Sequence, residues 1–232
     1  MATDIRFIYF DLGNILVSFD RNRANDNVAD LFGGTREASD EILHASGLQN
    51  RLETGLITAE EYAQAIRDAY ATLVGPNGMV ATGDIMRAIS DMFTPIEPMV
   101  AALQSLRDAK VPIGILSNTC EAHWTWVNGR GWEVMSGPFE VQVVSYEAQS
   151  MKPDRLIYET AMNLASECLA TRQGRDENAA LRPEEILFVD DRPENVDAAR
   201  SHGWTAEVCL GGEQAIDVLR RHGFNVPLAS TA

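Results

Sequence analysis

Four short stretches of this chain set a polar, chemically capable group directly after an apolar run. They are Asp11 in "FDLGN", Ser117 and Asn118 in "ILSNT", Lys152 in "MKPD", and Asp190 with Asp191 in "FVDDRPENV". Three carboxylates gathered in one place repel and raise one another's pKa unless a cation stands between them. A hard divalent ion with oxygen ligands removes that conflict. Mg²⁺ held by one to three carboxylates, waters and a substrate phosphate is the commonest such arrangement. The remaining phosphate oxygens then need donors, which the Ser117 hydroxyl, the Leu12 and Gly13 amides and the Lys152 ammonium can supply. With phosphorus so held, the Asp11 carboxylate is placed to attack it, giving an aspartyl-phosphate that water hydrolyses.

For these groups to meet, the elements carrying them must end on one edge. Ile5 to Phe10, Val111 to Leu116, Val141 to Val144, Ile186 to Val189 and Ala206 to Leu210 are short, continuous apolar runs, the pattern of parallel strands covered on both faces. Helical patterns lie between most of them: "TPIEPMVAALQSLRDAK", "DRLIYETAMNLASECL" and "PENVDAARSHG", the last closing on Gly203. Such alternation predicts an α/β fold built on a doubly wound parallel sheet, whose ligands sit beyond the carboxyl ends of the strands.

The first crossover is far longer than a crossover needs. From about Asp20 to about Phe93 no convincing strand appears, whereas helix signals are frequent. Thr58 and Glu61 form a capping box ahead of Tyr62, Ala65, Ile66 and Ala69, Gly75-Pro76-Asn77-Gly78 breaks that helix, and Asp84 to Met92 is another short amphipathic segment. The expected organisation is a core of residues 1–18 and 94–232 with an all-helical cap, residues 19–93, leaving from the ligand-binding edge. Its turn around Arg51 to Thr58 is the candidate for substrate specificity. The tail "NVPLASTA" is expected to be loose.

Composition narrows the function classes. The chain has 232 residues, 45% of them hydrophobic, enough for a full core. Its formal charge of −15, with no Lys/Arg cluster, argues against nucleic acid. Three scattered cysteines, Cys120, Cys168 and Cys209, fit neither a disulfide framework nor a zinc site and read as reduced thiols. The start MATDIR lacks a basic segment followed by an apolar one, and no apolar run approaches membrane-spanning length, so a cytoplasmic protein without membrane contact is expected.

Taken in order, the motifs around Asp11, Ser117, Lys152 and Asp190-Asp191 resemble the four sequential motifs of the haloacid dehalogenase superfamily, and the helical insertion resembles the cap that superfamily carries between its first two motifs. Within it, "DLGN", "ETGLITAEEY" and "KPDRLIY" are most similar to bacterial sugar-phosphate phosphatases of the α-D-glucose-1-phosphate phosphatase type. The resemblance implies Asp11 as nucleophile with Lys152 assisting. It implies phosphate binding by Leu12, Gly13, Ser117, Asn118 and Lys152, and Mg²⁺ at Asp11, Gly13, Asp190 and Asp191, with Asp190 the surer carboxylate ligand. The partner is then a small phosphorylated metabolite, and the protein a monomer or homodimer.

One position departs from the pattern. Most phosphatases of the superfamily have a second aspartate two residues after the nucleophile, as acid for the leaving group; here Gly13 stands there. Without that acid the leaving group departs poorly protonated, or takes its proton from water or from a less well placed group such as Asp20. Anomeric and aryl phosphates are then expected to outrun simple alkyl phosphates. The competing readings are a metal-independent 2-haloacid dehalogenase, against which the Asp190-Asp191 pair argues because displacement of halide from carbon has no use for a magnesium site, and a weakly active or inactive relative that binds a phosphometabolite or a protein. Asn195 reads as an exposed helix asparagine, with an orienting role toward Lys152 or an aspartate as the alternative. His44, His123, His202 and His222 show no ligand spacing, and Trp124, Trp126 and Trp132 read as core or interface packing.

Overall fold

The computed structural model describes residues 4–75, 79–173 and 180–228. Five strands form one parallel sheet: β1 (Phe7–Phe10), β4 (Ile113–Ser117), β5 (Val141–Val144), β6 (Ile186–Asp190) and β7 (Thr205–Val208), in the order β5-β4-β1-β6-β7. The strands expected from sequence are all present, shifted by up to about two residues at their ends. Every residue of β1, β4 and β6 is buried.

Alternation along the strands divides the core. Ile8, Phe10, Ile115 and Val189 face one side, where α6 (Pro98–Asp108) and α11 (Glu213–Arg221) pack through Leu103, Leu106, Ile216 and Leu219. Phe7, Tyr9, Leu116 and Phe188 face the other side, covered by α9 (Arg155–Gln173) and α10 (Pro193–Ser201) through Ile157, Ala161, Val196 and Ala199. Both faces are sealed, as the continuous apolar strand sequences require. The tryptophans belong to this packing: Trp124, Trp126 and Trp132 are partly buried against the first layer.

Between β1 and β4 the chain makes a helical insertion of α1 (Arg21–Phe32), α2 (Arg36–Asp40), a π-helical turn (Glu41–Ala45), α3 (Leu48–Glu53), α4 (Ala59–Val74) and α5 (Thr82–Ser90). The insertion has its own apolar cluster, centred on Val28, Leu43, Tyr62, Ile66, Tyr70 and Ile85. The Thr58–Glu61 capping box forms at the start of α4, Thr58 Oγ1 accepting from the Glu61 amide while the Glu61 carboxylate accepts from the Thr58 amide. Of the breaker expected after α4, residues 76–78 lie outside the described residues, as do residues 229–232 of the tail.

Two strands escaped the sequence reading. β2 (Val17–Phe19) and β3 (Phe93–Pro95) pair antiparallel, Phe19 opposite Phe93, where the chain enters and leaves the insertion. Both expected boundaries of the insertion therefore fall on this ribbon. Three-residue strands carry no period, and their partners lie 76 residues apart, Ser18 Oγ donating to the Thr94 carbonyl.

Candidate active site

The sheet order reverses beside β1, which has β4 on one side and β6 on the other. Ligands bind at such a switch point in open α/β sheets. Asp11 follows β1, its amide donating to the Val189 carbonyl of β6, and Asp190 ends β6. Ser117 ends β4. The expected convergence along one edge is present.

Lys152 is the centre of the cluster. Its side chain is buried and its three N–H donors are all used, reaching the Leu116 carbonyl at 2.9 Å, Asp190 Oδ2 at 2.6 Å and Asp11 Oδ1 at 2.9 Å. Burial opposes a charged lysine, but Asp11 and Asp190 outweigh it and hold the ammonium above its ordinary pKa. A second bond from the Leu12 amide fixes Asp11 Oδ1 at 2.7 Å, and Oδ2 has no protein partner among the described residues. Burial raises the Asp11 carboxyl to about 7, the Lys152 charge working against that rise and the Asp190 charge adding to it.

The two adjacent aspartates do different work. Asp190 is fully buried and surrounded by donors: Lys152, the Arg192 amide at 2.8 Å and Asn195 Nδ2 at 3.0 and 3.1 Å. Asp191 is only half-buried, accepts from Asn14 Nδ2 at 2.8 Å, and lines the cavity. Asn195 is 1% exposed and braces Asp190, so the reading of an exposed helix asparagine gives way to the orienting one. The signal for it was its place one residue before Val196 on the buried face of α10.

Asn118 is also a brace. Its Nδ2 donates to the Lys152 carbonyl and its Oδ1 accepts from the Lys152 amide, so both ends of the side chain are committed to holding the lysine's backbone. Ser117 is freer. Its hydroxyl lies 3.5 Å from the Asn118 carbonyl, at the outer limit of a hydrogen bond, and it lines the cavity beside Asp11, Leu12, Gly13 and Lys152.

That cavity measures about 220 Å³ and is lined by residues of both the core and the insertion. Arg21, Leu43, His44, Asn50 and Glu53 come from the insertion, and Phe19 and Phe93 from the ribbon. Of the Arg51–Thr58 turn expected to face the site, Glu53 lines the cavity; Arg51 is exposed and does not line it. Asp20 does not line it either: its Oδ1 caps α1, accepting from the Asn22 and Arg23 amides. His123, set aside in the sequence reading, is buried in the wall with its ring edge-on to Phe93, and burial pushes its pKa down to about 4.

Three carboxylates face one ammonium here, and oxygens of Asp11, Asp190 and Asp191 lie within 4.8 Å of one another. The excess negative charge and the hard oxygen donors fit a divalent cation of the Mg²⁺ kind. A buried carboxylate beside a lysine and such a donor set is an arrangement that suits hydrolysis. Residues 5–203 match the model for haloacid dehalogenase-like hydrolases, and the chain belongs to that family. Its fold is similar to a haloacid dehalogenase family enzyme from Bacteroides thetaiotaomicron, at 25% identity over 94% of this chain and 99% of that one, with a TM-score of 0.72. The same enzyme solved with magnesium and inorganic phosphate aligns at 26% identity, covering 93% and 100%, with a TM-score of 0.68. The L-2-haloacid dehalogenase from Xanthobacter autotrophicus shares the fold at 19% identity, covering 94% and 81%, with a TM-score of 0.56. Among the described residues no helix is long and apolar enough to cross a membrane.

Proposed function

We propose that this protein is a Mg²⁺-dependent phosphomonoesterase acting on a small phosphorylated metabolite, with residues 19–93 as the cap over its site. The observation that carries this reading is Asp191: a carboxylate beside Asp11, turned toward the cavity and not needed to hold Lys152. A dehalogenase working on carbon has no role for it. Asp11, Asp191 and the Gly13 main chain would hold the ion, with Asp190 kept in place by Lys152 and Asn195; the geometry thus favours Asp191 over Asp190 as the direct ligand. Bound there, Mg²⁺ supplies charge neutralisation for the phosphate.

The chain's own groups do the rest. The Leu12 amide and Lys152 hold Asp11 Oδ1, which leaves Oδ2 to attack phosphorus. The Ser117 hydroxyl donates to a phosphate oxygen. As the Asp11–phosphorus bond forms, the ester oxygen leaves with its electron pair, and water then attacks the aspartyl-phosphate and regenerates Asp11. The likeness of "DLGN" and "KPDRLIY" to glucose-1-phosphate phosphatases makes anomeric sugar phosphates the first natural substrates to assay.

The test is phosphate release from 4-nitrophenyl phosphate and from glucose 1-phosphate, with metal-stripped protein, before and after adding MgCl₂, beside halide release from 2-chloropropionate. Magnesium-dependent phosphate release is expected. Halide release without metal, and no phosphate release with it, overturns the proposal.

A further inference from the structure

Gly13 removes the acid that this reaction ordinarily uses, and the cavity wall shows where another carboxyl stands. Among the described residues lining the cavity, Glu53 is the sole acid outside the Asp11–Asp190–Asp191 cluster. It sits at the last turn of α3, in the insertion, and lines the same cavity as Asp11. A ligand that fills this space meets residues of both the core and the insertion.

Glu53 is held by a relay of hydrogen bonds. The Tyr62 hydroxyl, fully buried, donates to Gln49 Oε1 at 2.7 Å, which turns the Gln49 amide so that Nε2 donates to Glu53 Oε1 at 2.9 Å. The main chain is fixed to the core as well. Ser145 Oγ donates to the Glu53 carbonyl at 2.6 Å and accepts from the Thr119 amide at 2.9 Å, tying α3 to the loop that follows Ser117. Two residues on, Gly55 has φ of 71° and lies so close to the core that a Cβ there would stand 2.4 Å from the Tyr146 carbonyl oxygen. Only glycine allows that approach. One carboxylate oxygen of Glu53 is thus committed to Gln49, and the main chain that carries the side chain is tied to the core.

We propose that Glu53, carried by the helical insertion, is the group that protonates the leaving oxygen in place of the acid missing at Gly13. The inference rests on the phosphatase reading. As Asp11 Oδ2 bonds to phosphorus and the ester bond breaks, the departing electron pair takes the Glu53 proton; the alcohol leaves neutral and Glu53 is left as carboxylate. When water attacks the aspartyl-phosphate, its proton returns to Glu53 while the Asp11–phosphorus bond breaks, restoring both groups. Burial supports the assignment by raising the Glu53 carboxyl to about 7, against the opposing pull of the Gln49 bond and of Arg21 and Arg192, so about half of the molecules hold the proton at pH 7, against very few for an ordinary carboxyl. The two imidazoles that line the cavity are worse donors, because burial lowers both His44 and His123.

The assay is kcat/KM, which reports formation of the aspartyl-phosphate, for substituted phenyl phosphates of graded leaving-group pKa and for ethyl phosphate, with magnesium present. None of these leaving groups carries a hydroxyl that Glu53 could merely bind. In Glu53→Gln the plot should steepen, with ethyl phosphate losing roughly 10²-fold more than 4-nitrophenyl phosphate. Glu53→Asp, which keeps an acid, should recover part of the shallow slope and serves if the glutamine variant folds poorly. A line parallel to wild type, displaced downward, assigns Glu53 to binding and overturns its role as acid while leaving the phosphatase reading intact. Wild-type protein that hydrolyses none of the esters overturns both.

Discussion

Replacing Glu53 by Gln should make the protein more stable at neutral pH. The carboxyl is raised by burial from 4.5 to about 7, so between those values the folded state holds a proton that the unfolded chain has released. Stability contributed by protonated Glu53 is complete below about 4.5 and is lost as pH rises toward 7, where the folded protein keeps a carboxylate in a poor environment. The difference, 7 − 4.5 = 2.5, is worth about 3 kcal/mol at about 1.4 kcal/mol per pKa unit, and because Glu53 is only half-buried we expect about 1 to 3 kcal/mol. Glutamine has the same shape, can accept from Gln49 Nε2 through its own oxygen, and carries no charge. At about 2 to 4 °C per kcal/mol for a chain of this size, the variant should melt roughly 2 to 12 °C above wild type at pH 8. The gap should shrink steadily from pH 7 to pH 5. Thermal or urea melts of both proteins across that range measure it, and a gap independent of pH, or a variant less stable at pH 8, would refute the reasoning. The assay needs neither substrate nor metal.

Asp11→Asn should abolish turnover of every phosphate ester, since the amide keeps the shape and loses the nucleophile; steady-state assays showing near-wild-type rates would remove Asp11 from that role. Asp191→Asn should weaken Mg²⁺ binding in a calorimetric titration with little change in melting temperature. Asp190→Asn should instead lower stability by about 3 kcal/mol or more, because a buried ammonium loses a partner; equal melting temperatures for the two variants would contradict the division of work. Gly13→Asp with Phe19→Ala, built into the Glu53→Gln background, should restore shallow leaving-group dependence, and an unchanged slope there would mean that an acid at position 13 cannot reach the leaving oxygen.

What could be read from sequence was whatever a strand end fixes locally. Asp11, Ser117, Lys152 and Asp190 each follow an apolar segment, and the parallel sheet brings such ends together whatever the loops do. The roles within the cluster were less legible, because they depend on which donors fold back. Asp190 and Asp191 are indistinguishable in "FVDDRP", yet Lys152 and Asn195 take one and leave the other facing the cavity. Asn118 looked like a phosphate donor until its amide was found spent on Lys152. Glu53 opens the "ETGLITAEEY" segment, but nothing in that segment marks it as an acid for the leaving group. Its position depends on Ser145, 92 residues away, and on the close approach of Gly55 to Tyr146, contacts no local pattern encodes.

The glycine after the nucleophile has a structural counterpart. Gly13 does not adopt a left-handed backbone, so its main chain would accept a side chain; what stands in the way is the ring of Phe19, 3.1 Å from where a Cβ would be. Phe19 belongs to the ribbon joining insertion to core, packs against Phe93 at 6.3 Å, and Phe93 in turn meets His123 at 5.3 Å. An aromatic wall therefore fills the sector that an acid at position 13 would occupy. Such a wall excludes water from one side of the nucleophile, which strengthens the electrostatic interactions within the site. It also displaces the source of the proton to the insertion. An acid on the nucleophile's own loop is in place whether or not the site is covered; an acid on α3 is in place only while the Ser145 and Gly55 contacts hold the insertion against the core. Protonation of the leaving group is then tied to closure over the substrate, so that bond cleavage is assisted only when water has already been shut out.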